Sequence, residues 1–132
     1  MNDKSRQKLN ECHTDLIRLF EAVEQAGYMF VVATGYRGKR EQNRLHKEGK
    51  SQLAWPHSMH NNNPSLAVDV YPMSQSGTIN WGDKDGFYMF GGFVLGVAFA
   101  LGVELVWGGD WDSDHDTADQ YFNDLGHFEL LV

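Results

Sequence analysis

Cysteine occurs once in this chain, at Cys12, so no internal disulfide framework can hold the fold together. Cys12 falls in an apolar helical pattern and reads as a packed core thiol rather than a nucleophile. Basic residues are outnumbered, with eleven Lys and Arg against eighteen Asp and Glu and a formal net charge of −7. That balance lacks the clustered basic face of a nucleic-acid-binding domain. The densest basic group is RGKREQNR at 37–44. Low-complexity tracts and fixed-period repeats are absent as well, which argues against disorder and against a solenoid.

An apolar signal core is missing from the opening MNDKSRQKLNECH. The expectation is a protein made in the cytosol that needs another exit route for any extracytoplasmic role. One segment does lack charge over a membrane-spanning length: GFYMFGGFVLGVAFALGV, residues 86–103. Its flanks, Asp83, Lys84, Asp85 and Glu104, give no basic side to orient insertion. It therefore reads as a core helix, and no membrane insertion is expected.

What is present fits one domain, residues 1–132, with 42% hydrophobic residues. Leu9, Cys12, Leu16, Leu19, Phe20 and Val23 are spaced as one helix over 5–26 that Gly27 closes. MFVVAT at 29–34 reads as a strand, and EQNRLHKEG at 41–49 as a short helix ended by Gly49. LAVDVYP is a second strand that Pro72 terminates. An apolar helix follows from about Asp83 to Leu101, then strand candidates VELVW and HFELLV. The pattern predicts an α+β fold, a small, mostly antiparallel sheet with flanking helices.

The chemistry gathers around Asp69, which alternates with Val68 and Val70 and so points away from its apolar neighbours. A carboxylate on a strand is costly to bury without a positive partner. His57 and His60 share the loop before it, and His127 opens the last strand. A His/Asp/His set with an open fourth position is a catalytic zinc arrangement. His13 and His46 lie in helical segments without such partners. Glu129 shares a strand face with His127 and is either its hydrogen-bond acceptor or a plain exposed residue. Trp81, Trp107 and Trp111 either line a groove or pack, and Tyr36 and Tyr71 stay equally open.

SMHNNNPSLAVDV at 58–70 and NDLGHFEL at 123–130 resemble the two zinc motifs of the M15 peptidases. TGYRGKREQ at 34–42 and WGGDW at 107–111 are similar to that family's arginine motif and to a motif of its peptidoglycan endopeptidase branch. The resemblance is to the phage-type L-alanyl-D-glutamate endopeptidases (endolysins), and it implies a Hedgehog/DD-peptidase-like fold. It makes His60, Asp69 and His127 the zinc ligands, with His57 outside the set. Asp124 matches the catalytic carboxylate and Arg37 the arginine facing the substrate carbonyl. Gln42 and Ser58 fall on substrate-side motif positions near the site. Without the resemblance, Arg37 reads as a surface ion pair and Asp124 as a turn cap.

The resemblance further implies a lysis enzyme whose partner is bacterial peptidoglycan. It would act as a monomer with no separate wall-binding module, reaching the wall through a separate pore-forming protein. Two departures stand out: an expanded loop at 61–65, and a long acidic stretch at 112–120. Asp112, Asp114 and Asp116, with Asp119, alternate as in an oxygen-rich calcium site, although a solvated acidic loop explains them too. Alternative functions are a D-alanyl-D-alanine carboxypeptidase or dipeptidase on the same scaffold, and a non-enzymatic zinc-stabilised binding module.

Overall fold

The computed structural model describes residues 1–118 and 124–131. Asp119 of the acidic stretch lies outside them. The chain runs α1 (Asp3–Leu9), α2 (Thr14–Gln25), β1 (Phe30–Thr34), α3 (Lys39–Lys47), a 3-10 turn (Met59–Asn61), β2 (Ala67–Pro72), α4 (Lys84–Leu101), β3 (Leu105–Trp107) and β4 (His127–Leu130). The four strands form one antiparallel sheet in the order β1-β2-β4-β3. The α+β architecture is the one its sequence pattern predicts.

One expectation is corrected. The apolar spacing over 5–26 spans two helices, not one. Residues 10–13 leave the helical path because Cys12 bridges Ser65 in a parallel pair. His13 N–H donates to Ser65 O at 2.8 Å, and Ser65 N–H donates to Glu11 O at 2.9 Å. His13 then caps α2, its Nδ1 accepting from Asp15 N–H at 3.0 Å. Leu9, Cys12 and Leu16 are all buried across the break, so the periodicity was real while the hydrogen bonding was not continuous. The break also ties the start of β2 to the helices.

Alternation along the strands gives the sheet two faces. Val68, Val70, Phe128 and Leu130 join the core beneath α2 and α4. Phe20 meets Phe128 edge-on at 5.4 Å, and Phe90 meets it at 6.2 Å. Asp69, Tyr71, His127 and Glu129 occupy the other face. Asp69 pairs with His127 across β2–β4 and with Thr34 across β1–β2, where the register shifts between Val32 and Thr34.

Asp83 caps α4, accepting from Gly86 N–H at 3.0 Å, and Gly102 ends it in the left-handed region at φ 73°. The helix is long and apolar enough to cross a membrane by length and composition, yet it packs on β2, β3 and α2. Its inner stripe is Phe87, Phe90, Gly91, Val94 and Ala98. Its outer stripe is apolar and open, with Met89 71% and Phe99 88% exposed. The helix is thus a core element on one side only.

The two sides of α4 respond oppositely to a methyl group. At Gly91 the methyl would overlap the Trp107 indole, whereas at Gly96 it would meet nothing. Gly91→Ala is expected to lower stability by about 1–3 kcal/mol through overpacking. Gly96→Ala should raise it by about 0.5–1 kcal/mol through helix propensity. Urea denaturation midpoints check both signs.

Candidate metal centre

His60 is delivered by the 3-10 turn, whose start is tied twice. Ser58 Oγ accepts from His60 N–H at 3.2 Å, and Asn61 Oδ1 accepts from Ser58 N–H at 3.1 Å. Arg37 N–H donates to His60 O at 2.8 Å, which fixes the turn against the chain leaving β1. The loop at 61–65 closes back through Leu66 N–H to Met59 O and Ser65 Oγ to Ala67 O. His60 and Asp69 therefore converge across this loop.

The side chains of His60, Asp69 and His127 are all buried and offer ligand atoms within 4.8 Å of one another. His60 Nε2 is 3.3 Å, and His127 Nδ1 3.2 Å, from Asp69 Oδ1. The outward nitrogens are committed elsewhere. His60 Nδ1 lies 2.8 Å from Gly35 O, which can only accept, so that nitrogen carries the proton. His127 Nε2 lies 2.7 Å from Glu129 Oε1. Each ring is thus oriented by an acceptor behind it, as metal-ligating histidines are. The donor set of two imidazoles and a carboxylate fits a divalent metal.

The electrostatics agree with a site built for positive charge. Burial works against the Asp69 carboxylate, yet hydrogen bonds from His127 and His60 hold its pKa well below the usual range. Burial likewise opposes the charged form of His127, but its bonds to Asp69 and Glu129 push it up to about 9. Asp124 is raised, by burial first and then by the Asp69 charge.

Asp124 stands in the turn before β4. Its backbone bonds Gly108 O at 2.9 Å and His127 N–H at 3.0 Å. Gly108 is required there, since a side chain would collide with the Asp124 carbonyl. The turn is therefore a backbone construction, and the Asp124 carboxylate lines the groove.

Arg37 reaches the triad: Nη2 is 3.7 Å from Asp69 Oδ2, and Nη1 donates to Gln42 Oε1 at 3.0 Å. Gln42 is wholly buried and donates to Ser51 Oγ and Leu53 O at 3.0 and 2.6 Å. Asn61 Nδ2 donates to the same Gln42 oxygen at 3.1 Å. Gln42 therefore locks Arg37, α3 and the 3-10 turn together, and Ser58 works inside the cap of that turn. The sequence reading passed over Asn61; its position three residues after Ser58 is the spacing of a capping box.

These groups line one groove of about 1250 Å³. Trp111 stands 5.2 Å from the His127 ring, while Trp107 is buried with Nε1 donating to Leu125 O at 2.9 Å. His57 lines the groove without joining the triad.

Among the described residues, the expected set of Asp112, Asp114 and Asp116 does not gather as a calcium site. Asp110, not Asp116, groups with Asp112 and Asp114. Asp110 accepts from Asp114 and His115 N–H, Asp114 from Asp116 N–H, and Asp116 from Ala118 N–H, at 2.9 to 3.2 Å. Alternating aspartates here are turn formers.

The family described as phage L-alanyl-D-glutamate peptidase matches residues 1–131. Among solved structures, the chain is similar to the L-Ala D-Glu endopeptidase ChiX of Serratia marcescens, with 26% identity and a TM-score of 0.79 over 99% of this chain and 89% of that one. The zinc complex of the vancomycin-resistance D,D-pentapeptidase VanY shares the fold at 18% identity and TM-score 0.56, over 90% and 70% of the two chains. The LD-carboxypeptidase LdcB shares it at 22% and 0.53, with 91% and 57% covered. No curated protein matches the chain in sequence.

Glu129→Gln keeps the shape behind His127 and removes the charge. Zinc affinity, measured by competition with a chromophoric chelator, is expected to fall about 10- to 100-fold while the fold persists. Unchanged affinity would return Glu129 to a plain strand residue.

Proposed function

The chain belongs to the phage L-alanyl-D-glutamate peptidase family, and on that premise we propose how its groove performs the reaction. It is a peptidoglycan endopeptidase acting on the L-alanyl–D-glutamate bond of the stem peptide. The observation that carries the chemical reading is the arrangement of His60, Asp69 and His127. Their inner atoms face one point, and their outer nitrogens are already bonded.

Zinc suits two imidazoles and one carboxylate with a fourth position open to the groove. When bound there it supplies a Lewis acid that lowers the pKa of water from about 15.7 towards about 7. Asp124 accepts the proton of the water that adds to the alanyl carbonyl, and returns a proton to the glutamate nitrogen as the C–N bond breaks. Its raised pKa suits a group that must both take and give that proton. Arg37, held by Gln42 and beside Asp69, donates to the carbonyl oxygen as negative charge develops. Ser58 and Gln42 serve by positioning His60 and Arg37.

Residues 1–132 act as one catalytic unit and as a monomer, engaging the wall peptide through the groove. Delivery to the wall depends on a separate pore-forming protein. A carboxypeptidase would instead release free D-alanine, and a zinc-stabilised binding module would release nothing.

Asp124→Asn tests the assignment against those alternatives. Zinc content is expected to stay at the wild-type level while kcat/KM falls by about 10²–10⁴. Mass spectrometry of digested walls should show new N-terminal D-glutamate from the wild type and none from the variant. Free D-alanine in its place would sink the endopeptidase assignment.

A further inference from the structure

Tyr71 is a groove residue on the Asp69 face of β2 whose hydroxyl makes no hydrogen bond among the described residues. It lies two positions beyond Asp69 on β2, past the last β4 partner, and so beside the turn that carries Asp124. Gly126 of that turn presses on one side of its ring, where a side chain would collide with Tyr71. Trp81 packs edge-on at 4.8 Å. The ring is clamped, and its hydroxyl is aimed before any ligand arrives. Among the described residues nothing hydrogen bonds to that hydroxyl and no side-chain oxygen is both buried and unpartnered, so the hydroxyl keeps solvent access in a residue that lines the groove.

Substrate chemistry indicates what belongs there. In a stem peptide D-glutamate continues the chain through its side-chain carboxyl, which leaves its α-carboxyl free. That group is one carbon from the nitrogen that departs, on the side where Asp124 returns the proton. The cations lining the groove are engaged. Lys8 Nζ donates to Ala33 O at 2.7 Å, Lys50 pairs with Glu48 at 3.1 Å, and Arg37 is held by Gln42 and Asp69. A phenol can donate to a carboxylate without adding a second charge.

We propose that Tyr71 is a specificity-determining residue whose hydroxyl donates a hydrogen bond to the free α-carboxyl of the D-glutamate on the leaving side. This rests on the peptidase reading above, and it adds a second recognition point beyond the metal and Arg37.

A cycle between enzyme and substrate tests it. Wild type and Tyr71→Phe are each assayed on a muramyl-L-alanyl–D-glutamyl-γ-lysine fragment and on its counterpart with 4-aminobutyrate for D-glutamate, which deletes the α-carboxyl alone. In wild type the deletion is expected to lower kcat/KM about 10- to 100-fold, the worth of a hydrogen bond to a charged group. In Tyr71→Phe the penalty should shrink about tenfold, the signature of coupled partners. Each ratio is taken within one enzyme preparation, so partial misfolding or metal loss cancels. An equal penalty in both enzymes overturns the assignment while leaving the peptidase intact. Failure of wild type to cut the D-glutamyl fragment overturns the peptidase reading and this one with it.

Discussion

The structure turns on one buried negative charge. Asp69 sits in the middle of the sheet with Val68 and Val70 in the core on either side of it. A carboxylate there is tolerable only with cationic or hydrogen-bonding partners. His60, His127 and Arg37 all converge on it from different elements. Each of the three is itself held from behind, by Gly35, Glu129 and Gln42 respectively. The site is therefore two layers deep, and most of its second layer is backbone or fully buried amide.

That layering explains how much was legible in the sequence. The strands bearing Asp69 and His127 could be read because period-two alternation places a polar residue against apolar neighbours. The candidate His/Asp/His set could be seen because imidazole and carboxylate are among the few side chains able to bind a metal, while the choice of His60 over His57 came from the motif resemblance. The Ser58 cap is local and carried by the Ser58–Asn61 spacing. Gln42 was visible as a motif position, but its hydrogen bonds to Arg37, Asn61 and Leu53 join distant segments that no spacing encodes. The helix break at residues 10–13 was hidden for the same reason. Leu9, Cys12 and Leu16 keep a helical rhythm, while the backbone between them pairs with Ser65, more than fifty positions later. The aspartates at 110–116 illustrate the reverse problem. Alternating carboxylates suit both a cation and a chain of local turns, and only the backbone hydrogen bonds separate the two.

A D,D-pentapeptidase and an LD-carboxypeptidase share the fold with this chain at 18% and 22% identity. In this chain the sheet fixes the strand register that opposes Asp69 to His127. The groove walls are assembled from connecting segments: the 50–58 loop, the turn before β4 and the stretch after Trp107. Loops carried on a rigid sheet can change without disturbing the register.

The opposition of Asp69 and His127 has a further consequence. A slip of one residue along β2 would turn Asp69 into the oily interior and bring Val68 or Val70 out to face the histidines. Such a misthreaded chain would lose the carboxylate from the donor set. A metal held by all three side chains would therefore favour the correctly threaded strand over its slipped neighbours.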